Sequence, residues 1–224
     1  MNTNESSTNE SSTNKQKGKI MSLFPTPVVV VNIDRSFTKD EVDCITDIPM
    51  YKDEKGMSNH QSEDFYLFDN FVEELKDIKI LCEHHLKQYL EYIKGVDTNK
   101  VTLRITQSWL NKTKPGEYHH MHSHANSYLS GILYITCLPN DHINLTNRMY
   151  GMYNNMELPT KKETVWNSMG VVVDVKKGDL IIFPSWILHH VDVNETKDNE
   201  RISLSFNTFP IGEMGDYYGS HLNL

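Results

Sequence analysis

Two separate stretches, His122-Ser123-His124 and His189, hold the residues whose type and spacing point most directly to chemistry. On a β-strand, residues i and i+2 face the same side, so His122 and His124 can reach a common ion. His189 follows the strand-like Leu180-Ile-Ile-Phe183 and Pro184-Ser-Trp, where a second strand returns beside the first. Three neutral imidazoles on one face of an octahedral metal leave the opposite face open, the arrangement on which non-haem Fe(II) oxygenases are built. Those enzymes usually complete the face with two histidines and one carboxylate, whereas here the third candidate is again histidine. Downstream lies Arg201-Ile-Ser203. A guanidinium can hold a carboxylate by two parallel charged hydrogen bonds, and a nearby hydroxyl can add a third. In an apolar strand without such a ligand the arginine would be a costly buried charge. Strand alternation turns His190 away from His189, and position in the segment leaves His119 and His120 to supporting or solvent-facing places. The competing reading is chance clustering among eleven histidines, with Arg201 facing water on an edge strand.

The elements that must position these residues follow from hydrophobic periodicity. Residues 1–18 are almost wholly Asn, Ser, Thr, Glu and Lys, with a tandem Asn-Glu-Ser-Ser-Thr repeat, and read as a disordered tail. A β-branched run over residues 28–33 predicts a buried strand. Thr38 and Glu41 form a capping box for a short helix that Pro49 closes. Residues 51–68 read as an exposed loop. A longer helix starts at Asn70, with a stripe at Phe71, Leu75, Ile78, Cys82, Leu86, Tyr89 and Ile93 and a C-cap at Gly95. His84 and His85 on that helix lack a partner at ligand spacing. After residue 100, residues 101–110, 128–137, 171–175, 180–183, 189–193 and 202–209 read as strands. Residues 176–179 signal a hairpin between two of them, and residues 138–168 are too polar and irregular to assign. The expected fold is mainly β with flanking helices: a double-stranded β-helix, the cupin-like jelly-roll barrel. One domain should span 19–224, with helical support at 36–95 and the barrel core at 101–210.

Composition narrows the partners. A chain of 224 residues with 38% hydrophobic content suits one core. The balance of 22 basic and 30 acidic residues gives a net charge of −8, which disfavours nucleic acid and anionic membrane as partners. No apolar run approaches the length of a membrane-spanning helix, and the N-terminus lacks a signal-peptide pattern, so a cytoplasmic protein is expected. Cys44, Cys82 and Cys137 share no ligand spacing and read as reduced, packed thiols.

Four blocks occur in order: Ser108-Trp-Leu-Asn111 with Pro115-Gly116; residues 119–134 from His119 to Tyr134; Phe183-Pro-Ser-Trp186-Ile-Leu-His189; and Arg201-Ile-Ser-Leu-Ser-Phe-Asn207. Together they resemble the 2-oxoglutarate/Fe(II) oxygenase family of marine bacteria and their phages, over about residues 101–210. The resemblance implies that His122 and His189 ligate Fe(II), that Arg201 binds the distal carboxylate of 2-oxoglutarate with support from Ser203, and that Asn111 contacts the co-substrate. Dioxygen would be the other co-substrate, the site would hydroxylate a protein, peptide or small metabolite, and a phage-encoded member would work in the host cytoplasm. Where the wider superfamily has His-x-Asp or His-x-Glu, this chain has His122-x-His124, so either His124 or another group completes the sphere. Trp109, Trp186 and Tyr128 are candidate pocket walls or core residues, and residues 51–68 and 138–165 are candidate lids. Two other readings stay open: a three-histidine cupin-type dioxygenase that uses no keto acid, and a non-catalytic jelly-roll binding protein.

Overall fold

The computed structural model describes residues 22, 24–52, 58–148, 156, 158–216 and 218–224. The expected tail lies outside these residues, as do parts of both candidate lids. The chain runs through β1 (Val29–Asn32), α1 (Lys39–Asp47), β2 (Met50–Tyr51), β3 (His60–Ser62), α2 (Leu67–Asn70) and α3 (Lys76–Gln88). It continues through β4 (Val101–Thr113), β5 (His119–His122), β6 (Leu129–Thr136), β7 (His142–Thr146), β8 (Gly170–Asp174) and β9 (Asp179–Pro184), then β10 (Leu188–Val191), β11 (Arg201–Met214) and β12 (Leu222–Asn223). One sheet has the order β1-β9-β6-β11-β4-β3-β2, with β12 on β11, and a second has the order β5-β10-β7-β8. All ladders between these strands are antiparallel. This is the jelly-roll expected from the sequence, with helices on one side.

The central strands are buried on both faces, which sorts their residues by parity. Leu180 and Ile182 on β9, Leu133 and Ile135 on β6, and Leu204 and Phe206 on β11 join the cluster that packs under the helices. Their neighbours Ile181, Phe183, Ile132 and Tyr134 turn the other way and meet Ile143 and Leu145 of β7 between the sheets. On β11 the second parity is polar: Arg201, Ser203, Ser205 and Asn207 are all buried. A strand that spends its alternate positions on buried polar groups is building a site rather than filling a core.

Gly131 shows how tight the helix-side packing is. It pairs with Phe206 across β6 and β11, and a Cβ placed on it would lie 2.0 Å from the Phe206 Cζ. Phe206 is fully buried and its ring lies near that of Phe68, so it has little room to give way. We expect Gly131→Ala to cost about 1 to 3 kcal/mol, the range for overpacked cores, read as a lower denaturation midpoint with an unchanged slope.

Several expectations need correction. Residues 51–68 are not simply a loop: β2 and β3 pair with each other and extend the large sheet beside β4, and Asn59, Ser62, Leu67 and Phe68 are buried. The long helix starts at Lys76 rather than Asn70, because the chain first makes the separate turn of α2. Its last turn is π-helical, over Tyr89–Ile93, so Tyr89 and Leu90 are buried together and Ile93 is exposed. The extra residue in that turn shifts the stripe that a regular 3.6-residue period would continue. The turn at residues 176–179 exists, with Gly178 at φ +84° and Asp179 N–H donating to the Lys176 carbonyl at 3.0 Å. It does not make a hairpin: β8 pairs with β7 in one sheet and β9 with β1 and β6 in the other. β7 falls within the stretch that the sequence left unassigned. The capping box at Thr38 and Glu41 forms as expected.

Candidate metal and co-substrate site

β5 and β10 pair so that His122 and His189 are direct cross-strand partners. His124 lies two residues beyond β5, held by its backbone N–H donating to the Ser185 carbonyl at 2.9 Å. One ring nitrogen from each of His122, His124 and His189 falls within 4.8 Å of the others.

In each ring the Nδ1 atom is taken. His122 Nδ1 lies 2.8 Å from the His120 carbonyl, and His189 Nδ1 lies 3.1 Å from the Ile187 carbonyl. His124 Nδ1 pairs with Asn207 Oδ1, with the Ser130 hydroxyl 3.0 Å away. A carbonyl can only accept, so the Nδ1 atoms of His122 and His189 carry the protons, and Asn207 places the proton of His124 likewise. Every Nε2 is left with a free lone pair, the form in which imidazole binds a metal. The Nε2 atoms of His122 and His124 lie 3.2 Å apart. Two ligands at right angles on one ion with bonds of about 2.1 Å sit roughly 3 Å apart, so this pair is already spaced for a shared metal.

Burial favours the same neutral state. It pushes His122 down to about 4 and His189 down to about 3, with the neighbouring imidazoles adding to the effect. His124 is also lowered by burial, against the hydrogen bond it donates to Asn207, and His119 is lowered well below the ordinary range. The unfolded chain therefore binds more protons than the folded metal-free protein between about pH 4 and 6.5. Stability should rise with pH across that window and fall on acidification from 6.5. Melting temperature of the chelator-treated protein against pH checks this, and iron, which binds only the unprotonated rings of the folded state, should steepen the curve.

The cavity beside the three Nε2 atoms is lined by Trp109, Asn111 and Thr113 from β4, His119 from β5, Ile132 and Tyr134 from β6, and Arg201, Ser203 and Ser205 from β11, with Ile143, His190 and Val191 closing it. It encloses about 20 Å³, room for one water, so side chains must part to admit a keto acid. No carboxylate lines it among the described residues. Arg201 is only 5% exposed, and its partner is one that sequence reasoning missed. The Nε–H donates to Asp141 Oδ2 at 2.7 Å and Nη2 donates to Asp141 Oδ1, while Nη1 is buried with no partner among the described residues. Asn111 is engaged too, donating to Ser205 Oγ at 3.0 Å and accepting from Gln61 at 3.2 Å. Of the three aromatic candidates, Trp109 lines the cavity, whereas Trp186 and Tyr128 are 48% and 42% exposed and do not. His119, expected in a supporting or solvent-facing place, stacks on His122 at 4.5 Å. His190 directs its Nε2 towards Asp192 at 3.6 Å, while its Nδ1 is buried and has no partner among the described residues.

Residues 107–207 match the family model described as "Putative 2OG-Fe(II) oxygenase". That segment holds all three histidines, Asn111, Arg201 and Ser203. No curated protein matches the sequence. Among solved structures, an oxidoreductase of the 2OG-Fe(II) oxygenase family from Burkholderia pseudomallei has TM-score 0.54 at 12% identity, covering 81% of this chain and 84% of the other. SnoK, a non-haem α-ketoglutarate-dependent carbocyclase from nogalamycin biosynthesis, has TM-score 0.52 at 12% identity, covering 87% and 85%. HygX from Streptomyces hygroscopicus, solved with nickel, 2-oxoglutarate and hygromycin B, has TM-score 0.51 at 12% identity, covering 82% of each chain. The chain thus has the fold of these proteins, and its residues 107–207 match the model of a family of 2OG-Fe(II) oxygenases, which are oxidoreductases.

Proposed function

We propose that this protein is a 2-oxoglutarate- and Fe(II)-dependent dioxygenase that hydroxylates a protein, peptide or small metabolite. The observation that carries the reading is the convergence of His122, His124 and His189, each with Nδ1 already engaged, on a cavity that is also lined by Arg201, whose Nη1 has no partner among the described residues. The residues fit both absent groups. His122, His124 and His189 would hold the metal, and Arg201 with Ser203 would receive the far carboxylate of the keto acid. Bound iron and keto acid would supply the oxidising power, coupling dioxygen reduction to decarboxylation of 2-oxoglutarate to succinate.

The chain's own contribution is position and charge. Three neutral imidazoles leave the full +2 on the metal, where a facial triad with a carboxylate would leave +1. A doubly charged keto acid then neutralises the centre, and among the described residues no cavity-lining carboxylate competes with it. Asn207, with Ser130 behind it, keeps the proton of His124 on Nδ1. Ile132, Ile143 and Val191 form the apolar wall that excludes water.

The all-histidine set also suits a cupin-type dioxygenase without keto acid, and one assay separates the two. Purified protein with Fe(II) and 2-oxoglutarate should consume dioxygen and release succinate, slowly even without substrate. Dioxygen uptake that ignores 2-oxoglutarate would establish the cupin-type reading, and no uptake in any mixture would leave a binding protein. For the substrate, the net charge of −8 favours a protein, peptide or metabolite over nucleic acid. A cytoplasmic site of action accords with three free cysteines and with the absence, among the described residues, of a helix long and apolar enough to cross a membrane.

A further inference from the structure

Asp141 lies just before β7 and is 4% exposed, and neither the motifs nor the ligand set called for it. Its carboxylate accepts four hydrogen bonds. Oδ2 receives Leu138 N–H at 3.0 Å and Arg201 Nε–H at 2.7 Å, and Oδ1 receives His142 N–H at 2.9 Å and Arg201 Nη2. Two backbone donors therefore fix the carboxylate, and the carboxylate fixes one edge of the guanidinium. Of the five N–H donors of an arginine, this edge uses two and leaves both on Nη1 and one on Nη2. That free edge is the one whose Nη1 has no partner among the described residues, and Arg201 lines the metal cavity.

We infer that Asp141 is a positioning residue that aims the outer edge of Arg201 at the far carboxylate of the keto acid, and thereby sets selection for a dicarboxylate. The inference rests on the function proposed above. A guanidinium on a flexible stem would otherwise have to be ordered when the co-substrate binds, and Asp141 meets that cost in advance. The Asp141–Arg201 pair is close to neutral, so the arginine can be held dry in the cavity before any ligand arrives. The sequence pattern Arg-x-Ser says which residue binds, whereas the buried aspartate decides which way it points.

The test compares two keto acids of the same length, 2-oxoglutarate and 2-oxopentanoate, which has a methyl group in place of the far carboxylate. Their affinities for the anaerobic Fe(II) protein are measured by the visible charge-transfer band, for wild type, Asp141→Asn, Arg201→Met and the double variant. Asp141→Asn should weaken 2-oxoglutarate at least tenfold while leaving 2-oxopentanoate and iron stoichiometry unchanged, and it should add nothing to Arg201→Met. Equal weakening of both keto acids would assign Asp141 a merely structural role and overturn the inference. Unchanged or tighter 2-oxoglutarate binding would do the same, showing that the aspartate is idle or competes for the guanidinium. If Asp141→Asn does not fold, Asp141→Glu, which keeps the charge but moves it by one methylene, should lower the 2-oxoglutarate preference in the same selective way, and an unaltered preference would overturn the proposal. Failure of the underlying reading looks different: wild type itself would then show no band with either keto acid.

Discussion

His189→Ala and His122→Ala should each yield folded protein that retains no iron after desalting, whereas His120→Ala should keep its full equivalent. The contrast follows from where the lone pairs point. The Nδ1 atoms of His122 and His189 are occupied by the carbonyls of His120 and Ile187, and the Nε2 atoms of both rings join that of His124. Removing one ring leaves two nitrogens on a site that, among the described residues, offers no lining carboxylate as a substitute. His120 is exposed, and its Nδ1 faces Ser58 at 3.4 Å. His190→Ala should also retain iron, since its Nε2 turns outward to Asp192 at 3.6 Å. Metal analysis of the five proteins, wild type included, checks this. Loss of iron in His190→Ala but not in His189→Ala would mean the strand phase is wrong by one residue.

Arg201→Lys should keep iron but weaken 2-oxoglutarate binding by about 2 to 5 kcal/mol, the range for truncating a buried, hydrogen-bonded charge pair. A lysine carries one point charge and three donors on one atom, so it cannot serve Asp141 and a ligand carboxylate with two separate edges. Ser203→Ala should cost less, about 1.5 to 3 kcal/mol at most for one hydrogen bond to a charged group. Titration of both variants with the keto acid reads the difference, and equal affinity in Arg201→Lys would remove the arginine from the co-substrate site.

The barrel strands were legible because burial on both faces writes continuous apolar runs, as in Leu180-Ile-Ile-Phe183, and because β11 alternates polar and apolar residues from Arg201 to Asn207. His122 and His124 were legible from the two-residue step, although His124 lies off the strand and is placed by Ser185 rather than by a ladder. β7 was hidden because only Ile143 and Leu145 mark its buried face in five residues. β2 and β3 were hidden because they attach at the sheet edge through backbone pairing rather than by burying an apolar face. Turn chemistry at residues 176–179 is local, but the partners of β8 and β9 are decided by tertiary packing, so the turn was readable and the pairing was not. Asp141 was invisible for the same reason. Nothing near it in sequence signals a guanidinium, and its role appears only once β11 is folded beside the start of β7.

The measurement that bears most directly on the central claim is an anaerobic titration of the iron-loaded protein with 2-oxoglutarate, followed in the visible spectrum. A keto acid that chelates Fe(II) through its keto and carboxylate oxygens produces a charge-transfer band that neither component shows alone. The account predicts such a band, saturating at one keto acid per chain and lost in His189→Ala. A mixture that stays colourless while the protein holds one equivalent of iron would contradict it.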